Sequence, residues 1–483
     1  MTENVAPMST RCPFHSTEAT ANPENVDSEL PLPPALPGGW PWLGHAFAFA
    51  RDPVNLIRKG RECFGEVFRF KLAGRDVHAL TGPAANAAFF RAPGEQLSAR
   101  EAYRFTVPIF GRGIAYDVEP ELMSEQLGFV LPALRDSRLQ TYTEVMFEEA
   151  ERYFSSVWAG GNGEADLLRT MNELTIFIAS RCLIGHEFRS RLNTDFARLY
   201  HDLEGGINPI AFLWPYFPLP AHTRRDRARR RMVELITAIV DERRLSGETG
   251  EDFLQTLMEA RYKDGRALTN TEIAGLLLTL IFAGQHTSAV LAAWTIILLL
   301  QEPIHFVSVR DEVDRWRGGD TPVTLAGARG LVCLERAMKE AERLYPPLVM
   351  LMRTIRRDFS YGGFRMPAGG MALISPSVSH RLEESFAEPN RYDPDRFGPG
   401  REEDKQVPQV LITFGGGRHR CIGSAFAYLQ VKVIVSVLLG RYKLDLGQSR
   451  CTPNYHTWVV GPQSPCTVRY HPRSAQIAAA QLS

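Results

Sequence analysis

Cysteine is scarce and scattered in this sequence of 483 residues: seven in all, at positions 12, 63, 182, 333, 421, 451 and 466. An odd number without paired spacings excludes a disulfide framework and suits thiols kept reduced in a cytosol. Charge of one sign is lacking too. Lys plus Arg and Asp plus Glu each number 55, a balance that excludes nucleic acid as the main partner. No Gly/Ser linker, mid-chain charge run or internal repeat divides the chain. A single large domain is therefore expected over 30–473, with a disordered extension at 1–29 and a flexible tail at 474–483. The first thirty residues hold no apolar stretch long enough for a signal peptide or anchor, so the expectation is a soluble, cytoplasmic protein with no transmembrane anchor, as a monomer.

One long apolar run is present. Ile273 to Leu300 carries no formal charge when His286 is neutral, and it is long enough to span a bilayer. Thr269-Asn270-Thr271-Glu272 before it has the form of a capping box, and helices apolar all round also lie at the centre of large soluble proteins. A buried central helix is the reading adopted. Leu30 to Gly44 is too rich in Pro and Gly for a helix and reads as an extended arm. Gly65 to Leu80 alternates apolar and basic residues about Ala73-Gly74, the pattern of a hairpin, and Phe359 to Ser375 has the same turn-rich character. From about Asp117 to Ala341 helical spacing dominates, as in Met232 to Arg244. The fold class is mainly α with a small β region. The arginine cluster Arg224 to Arg231 reads as a solvated helix face.

The segment FGGGRHRCIG, Phe414 to Gly423, sets Cys421 among glycines and arginines. Zinc needs about four ligands, and His419 alone cannot complete a set. A nucleophilic thiol wants a general base, for which a residue two positions away is poorly placed. A haem iron asks for one sulfur, because the porphyrin supplies four ligands. Glycines 415, 416 and 417 would then let backbone amides approach the sulfur. Arg418, His419 and Arg420 would meet the propionates, and the helix beginning near Ser424 would favour a thiolate.

Phe414-x-x-Gly417-x-His419-x-Cys421-x-Gly423 resembles the haem-binding loop of the cytochrome P-450 superfamily. Glu340-Ala341-Glu342-Arg343, about eighty residues earlier, resembles its E-x-x-R, and Tyr392 to Phe397 resembles the segment that adds Arg396 to that structural network. Ala283-Gly284-Gln285-His286-Thr287-Ser288 is similar to the oxygen-binding turn of sterol 14α-demethylases, soluble bacterial type. Tyr103 to Gly111 with Ala115-Tyr116-Asp117, and Pro346 to Arg353, resemble that family's substrate-side segments. The resemblance covers roughly Leu30 to Arg473.

The resemblance implies a haem buried between the long central helix and the Cys421 loop: haem b, with Cys421 as axial ligand and Phe414, Gly415, Tyr103, Arg353 and His419 as further contacts. It implies a substrate pocket lined by Phe105, Phe110, Ala283, Leu351, Met352 and Trp458. His286 and Thr287 become a proton route, although taken alone they read rather as a buried polar pair satisfied by helix carbonyls. Two positions depart from the family. Ser124 stands where a basic residue often meets a propionate, and Trp458 where relatives often have Met.

The implied chemistry is monooxygenation, with three rounds at one methyl group of a sterol precursor giving alcohol, aldehyde and loss of formate. No ferredoxin-like cysteine cluster or flavin motif is present, so a separate ferredoxin and its reductase are expected to deliver electrons near Arg418 and Arg420. A hydroxylase of another terpenoid or lipid on the same fold, and a haem protein that binds a ligand without turnover, are the alternatives.

Overall fold

The computed structural model describes residues 29–473, apart from 160, 192, 193, 251, 319–322 and 449. The expected extensions at the two ends fall outside the described residues but for Glu29. The helices that frame the site are α1 (Asp136–Val157), α2 (Leu167–Leu183), α3 (Thr194–Glu204), α4 (Pro220–Ser246), α5 (Asn270–Gln301), α6 (Val332–Leu344) and α7 (Ser424–Arg441).

Helix α5 begins where the sequence places it. Thr269 Oγ1 accepts from the Glu272 amide at 3.2 Å, and the Glu272 carboxylate accepts from the Thr269 amide at 2.8 Å, so two otherwise orphaned donors are satisfied. Nearly every side chain from Ser288 to Leu299 is buried, packed against α2, α6, α7 and α4. Each fully buried Leu or Ile there contributes roughly 1.5–3 kcal/mol, which holds α5 rigidly through the middle of the molecule. Helices α5 and α7 are long and apolar enough to cross a membrane, but 61% and 67% of their most apolar stretches are buried inside the protein, as in core helices.

The sheets lie to one side. Strands β1 (Val67–Leu72) and β2 (Arg75–Leu80) form the expected hairpin. With β3 (Leu97–Ser98), β5 (Leu351–Ile355) and β8 (Met371–Ile374) they build a five-stranded sheet in the order β1-β2-β8-β5-β3, in which only β2 and β8 run parallel. Strands β4 (Gly163–Asp166), β9 (Tyr442–Leu446) and β10 (Thr467–Pro472) form a second sheet, and β6 (Phe359–Tyr361) pairs with β7 (Phe364–Met366). The Pro-rich arm runs along the edge of β1: Leu36 donates to Arg69 and Arg69 to Pro34, each at 2.8 Å. That covers an edge which would otherwise present unpaired backbone groups.

The arginine cluster corrects the solvated-face expectation in part. Arg224, Arg227, Arg230 and Arg231 are exposed on α4, but Arg225 is fully buried and donates to the Pro215 carbonyl at 2.9 Å. Arg229 donates to the Ile109 carbonyl at 3.1 Å. A helix face turns every 3.6 residues, so an unbroken basic run necessarily sends some members inward.

A buried ion network ties α6 to the segment 380–403. Glu340, Arg343 and Arg396 are each 0% exposed. Arg343 grips the Glu340 carboxylate with two bonds, of 2.6 and 2.8 Å, and Arg396 adds a third at 3.0 Å. The remaining guanidinium hydrogens go to the carbonyls of His380, Pro389 and Ala387 and to Glu403. Paired and satisfied in this way, the charges are tolerable in the core.

Candidate active site

The Cys421 loop is a chain of tight turns. Its amide donates to the Phe414 carbonyl at 2.8 Å, closing the loop on itself. Gly415 and Gly417 have φ of 72° and 54°, a region L side chains avoid. Gly416 is required for another reason: a Cβ there would sit 2.1 Å from Gln409 and 2.7 Å from Phe90. The glycines thus serve the turn and its packing on Phe90, rather than only the approach to a macrocycle.

Cys421 has accessible surface yet is enclosed by enough protein that burial pushes its thiol upward. The Gly423 amide, the Arg420 guanidinium and the Ser424 amide act in the opposite direction. These are the first amides of α7, aimed at a sulfur that would carry negative charge.

Beside the sulfur lies a cationic corner. Arg353, on β5, is 7% exposed, and its guanidinium sits 5.4 Å from the centre of the Phe89 ring. Among the described residues no carboxylate pairs with it. Burial lowers its affinity for its proton, offset by Tyr103 and Tyr116. Burial also raises the phenols of Tyr103 and Tyr116, the latter to about 12, so both are neutral donors. Burial, Arg353 and Arg418 hold His419 down at about 4. Its Nε2 accepts from Arg418 at 3.2 Å, which leaves the hydrogen on Nδ1. A buried guanidinium without an anion, two phenols and a neutral imidazole N–H next to a thiol form a donor set for a doubly anionic group with a metal that takes sulfur. Haem fits these residues.

On the other wall, α5 opens at one place. Ala283 is exposed in a helix otherwise sunk in the core, and a Cβ on Gly284 would meet nothing within 4 Å. Thr287 donates back to the Ala283 carbonyl at 2.8 Å, so its hydroxyl oxygen keeps its lone pairs free to accept. The neighbouring His286 has Nδ1 at 3.2 Å from the Asn172 side-chain oxygen on α2, and Nε2 paired with Glu204 at the end of α3. Tyr200 and Phe282 wall the ring. Glu204 retains 33% side-chain exposure, so the line Glu204, His286, Thr287 runs from solvent to the gap in α5.

The expected pocket residues divide. Phe105, Tyr103 and Trp458 gather with Phe212, the Phe105 ring lying 4.0 Å from Phe212 and 4.9 Å from Trp458, centre to centre. Phe110 meets Phe282 of α5 at 5.8 Å. Met352 joins the aromatic group, whereas Leu351 packs with the residues around Phe89 on the opposite face of β5, as the two-residue period of a strand requires. Ser124 is exposed on the helix Pro120–Val130. Asn172, Glu204, Phe212 and the role of Tyr116 were not legible in the sequence, because no local pattern marks a residue that a distant helix or loop delivers.

A family model for cytochrome P450 matches residues 33–469. The chain is 41% identical over 450 residues to a sterol 14-demethylase of Arabidopsis thaliana, covering 92% of each. It is 38% identical over 447 residues to the sterol 14alpha-demethylase of Mycobacterium bovis, covering 91% of this chain and 98% of that one. The cytochrome P450DA heme domain superposes with a TM-score of 0.82 at 22% identity, over 92% of this chain and 99% of that one, a likeness of fold. The motif order, the tightly turned cysteine loop and the gap in the central helix have the same explanation: this chain belongs to the cytochrome P450 family.

Proposed function

We propose that the chain is a haem-thiolate monooxygenase that removes the 14α-methyl group of a sterol precursor in three successive oxygenations. The observation that carries this reading is the pairing of His286 with Glu204 beside Thr287, at the place where Ala283 leaves α5 open. Similarity to sterol 14-demethylases along nearly the whole chain supports the substrate class.

In this reading Cys421 would hold haem b, Arg353, Tyr103 and the Nδ1 hydrogen of His419 would bind its propionates, and Phe414 and Gly415 would shape the loop. When bound, the haem supplies the one-electron and dioxygen chemistry. The chain's own residues do the rest. Phe105, Phe110, Ala283, Met352 and Trp458 exclude water around an apolar substrate, with Leu351 nearer Arg353. Thr287, its hydrogen committed to Ala283, accepts from a water at the cavity wall. His286 passes a proton towards that water and is recharged from Glu204.

Electrons come from separate partners, a ferredoxin and its reductase. A cleft of about 550 Å³ lies under the cysteine loop, lined by Arg329, Lys339, Arg420 and Lys432. Asp136, Asp404 and Glu335 pair with the first, second and fourth, which leaves Arg420, among the described residues, as the cation there for an acidic partner. The protein acts as a cytoplasmic monomer.

A second reading, a hydroxylase of another terpenoid or lipid, draws on Trp458, whose indole packs against Phe105 and Phe212. A carbon-monoxide difference spectrum tests the thiolate, since a Soret band without the red shift of sulfur ligation sinks both readings. Low-spin to high-spin shifts with lanosterol, set against a terpenoid panel, then separate them.

A further inference from the structure

Two cysteines that the site does not use lie in contact. Cys451 Sγ and Cys466 Sγ are 3.3 Å apart, 7% and 0% exposed, at the base of the loop between β9 and β10. The loop is laced above them by Gln463 to Thr452 and Asn454 to Gly461, each at 2.8 Å. Its tip carries Trp458 to the Phe105 and Phe212 rings. The spacing in sequence gives no hint of this pair; the loop closing on itself beyond β9 and β10, with Pro453 bridged to Pro462, brings it together.

We infer that Cys451 and Cys466 form a reversible disulfide that staples the loop bearing Trp458, with a small peroxide as the oxidant. The approach needed is short, because a disulfide places its sulfurs about 2.05 Å apart, roughly 1.2 Å closer than here. Cys451 is the attacking sulfur. It accepts from Gln448 Nε2 and touches the Cys466 thiol, each at 3.3 Å, and the Cys466 contact pulls its thiol below the usual range while pushing that of Cys466 up. It is also the sulfur with some exposure, and a bulky disulfide oxidant could not reach it.

In the first step the Cys451 sulfur bonds to one peroxide oxygen as the O–O bond breaks. The other oxygen leaves with a proton as water, and Cys451 becomes a sulfenic acid. Cys466 sulfur then attacks Cys451 sulfur, and the departing hydroxide takes the Cys466 proton. Two thiols and one hydrogen peroxide give one disulfide and two waters.

The test uses full-length protein, reduced, desalted and treated with graded hydrogen peroxide, then alkylated, digested and mapped by mass spectrometry. A peptide linking Cys451 to Cys466 is expected before half-buried Cys333 is oxidised, and dithiothreitol should restore both thiols. The linked protein should melt about 2–5 °C higher and exchange amide hydrogens more slowly over 452–463. Cys451→Ser and Cys466→Ser, each tested separately, should abolish the link and the shift in melting. Separate alkylation of the two thiols at doses that oxidise Cys333, or a link without slower exchange at 452–463, would overturn the inference. The linked peptide is read without measuring turnover, and the melting comparison is made at equal haem content.

Discussion

His286 is held between α2 and α3, with Asn172 on its Nδ1 and Glu204 on its Nε2. The Gln285 amide donates at 3.3 Å to the same Asn172 oxygen, so that oxygen is an acceptor and Nδ1 carries a hydrogen. An Nε2 facing a carboxylate then needs a further proton on the pair, on the ring or on the acid. Glu204→Gln keeps the shape and removes the reservoir. Turnover should fall roughly 10–100-fold with the spectral Kd for substrate unchanged, and more of the electrons consumed should appear as hydrogen peroxide. Unaltered rate and coupling would remove Glu204 from the route.

Arg353 gives a prediction that needs no turnover. The guanidinium is buried and pairs with no carboxylate among the described residues, and a charge-assisted hydrogen bond contributes about 1.5–3 kcal/mol. Arg353→Leu should speed loss of haem to an acceptor apoprotein by about tenfold or more, while the haem-free variant melts no lower than the parent.

The clamp at Glu340 should respond more severely. Glu340→Ala leaves the Arg343 and Arg396 guanidinium groups, both fully buried, without their shared carboxylate. Removing one partner of a buried pair costs about 3–5 kcal/mol. Denaturant titration should show a loss of that size, or the variant should fail to accumulate as soluble protein.

Stability should also fall on the acid side. His380 Nε2 accepts from the Ile412 amide at 2.9 Å, and burial, then Arg343, hold its pKa down to about 3. For His419 the value is about 4. Both lie below the unfolded value near 6.5, so as pH falls the unfolded chain takes up protons first. Their contribution is fully present above about pH 6.5 and is lost as pH drops towards 4. Glu342 acts oppositely: burial raises it to about 8, and the stability it brings as a neutral acid is lost as pH rises through that value. Unfolding midpoints measured from pH 7 downward should decline, and His380→Gln, whose amide oxygen can still accept from Ile412, should flatten the decline.

Trp458 is half-buried at a loop tip, so its truncation should be felt in binding rather than folding. Trp458→Ala should weaken binding of an apolar substrate about tenfold with a melting temperature within a few degrees of the parent. Equal affinities would place the substrate elsewhere.

Legibility followed the range of the forces involved. The cap and length of α5 are written in adjacent residues, and so are the turns of the cysteine loop. Glu340, Arg343 and Arg396 could be named because their order along the chain accompanies Cys421. The partners of His286 could not, since Asn172 and Glu204 reach it only after α2 and α3 pack on α5. Leu351 and Met352 looked equivalent as neighbours in an apolar run, and only the pleat of β5 separates them. Cys451 and Cys466 looked scattered until the loop between β9 and β10 closed on itself.

That pleat ties two specificities to one register. On β5, Arg353 faces the Phe89 side and Met352 the aromatic cluster, each opposite a fixed partner on β8: Ala372 for Arg353 and Leu373 for Met352. Losing one residue between Pro347 and Leu351 would exchange the two faces, driving a guanidinium among Phe105, Phe212 and Trp458 and a thioether into the anion corner. Cofactor retention and substrate fit would fail together. This short strand should therefore accept changes of side chain far more readily than changes of length.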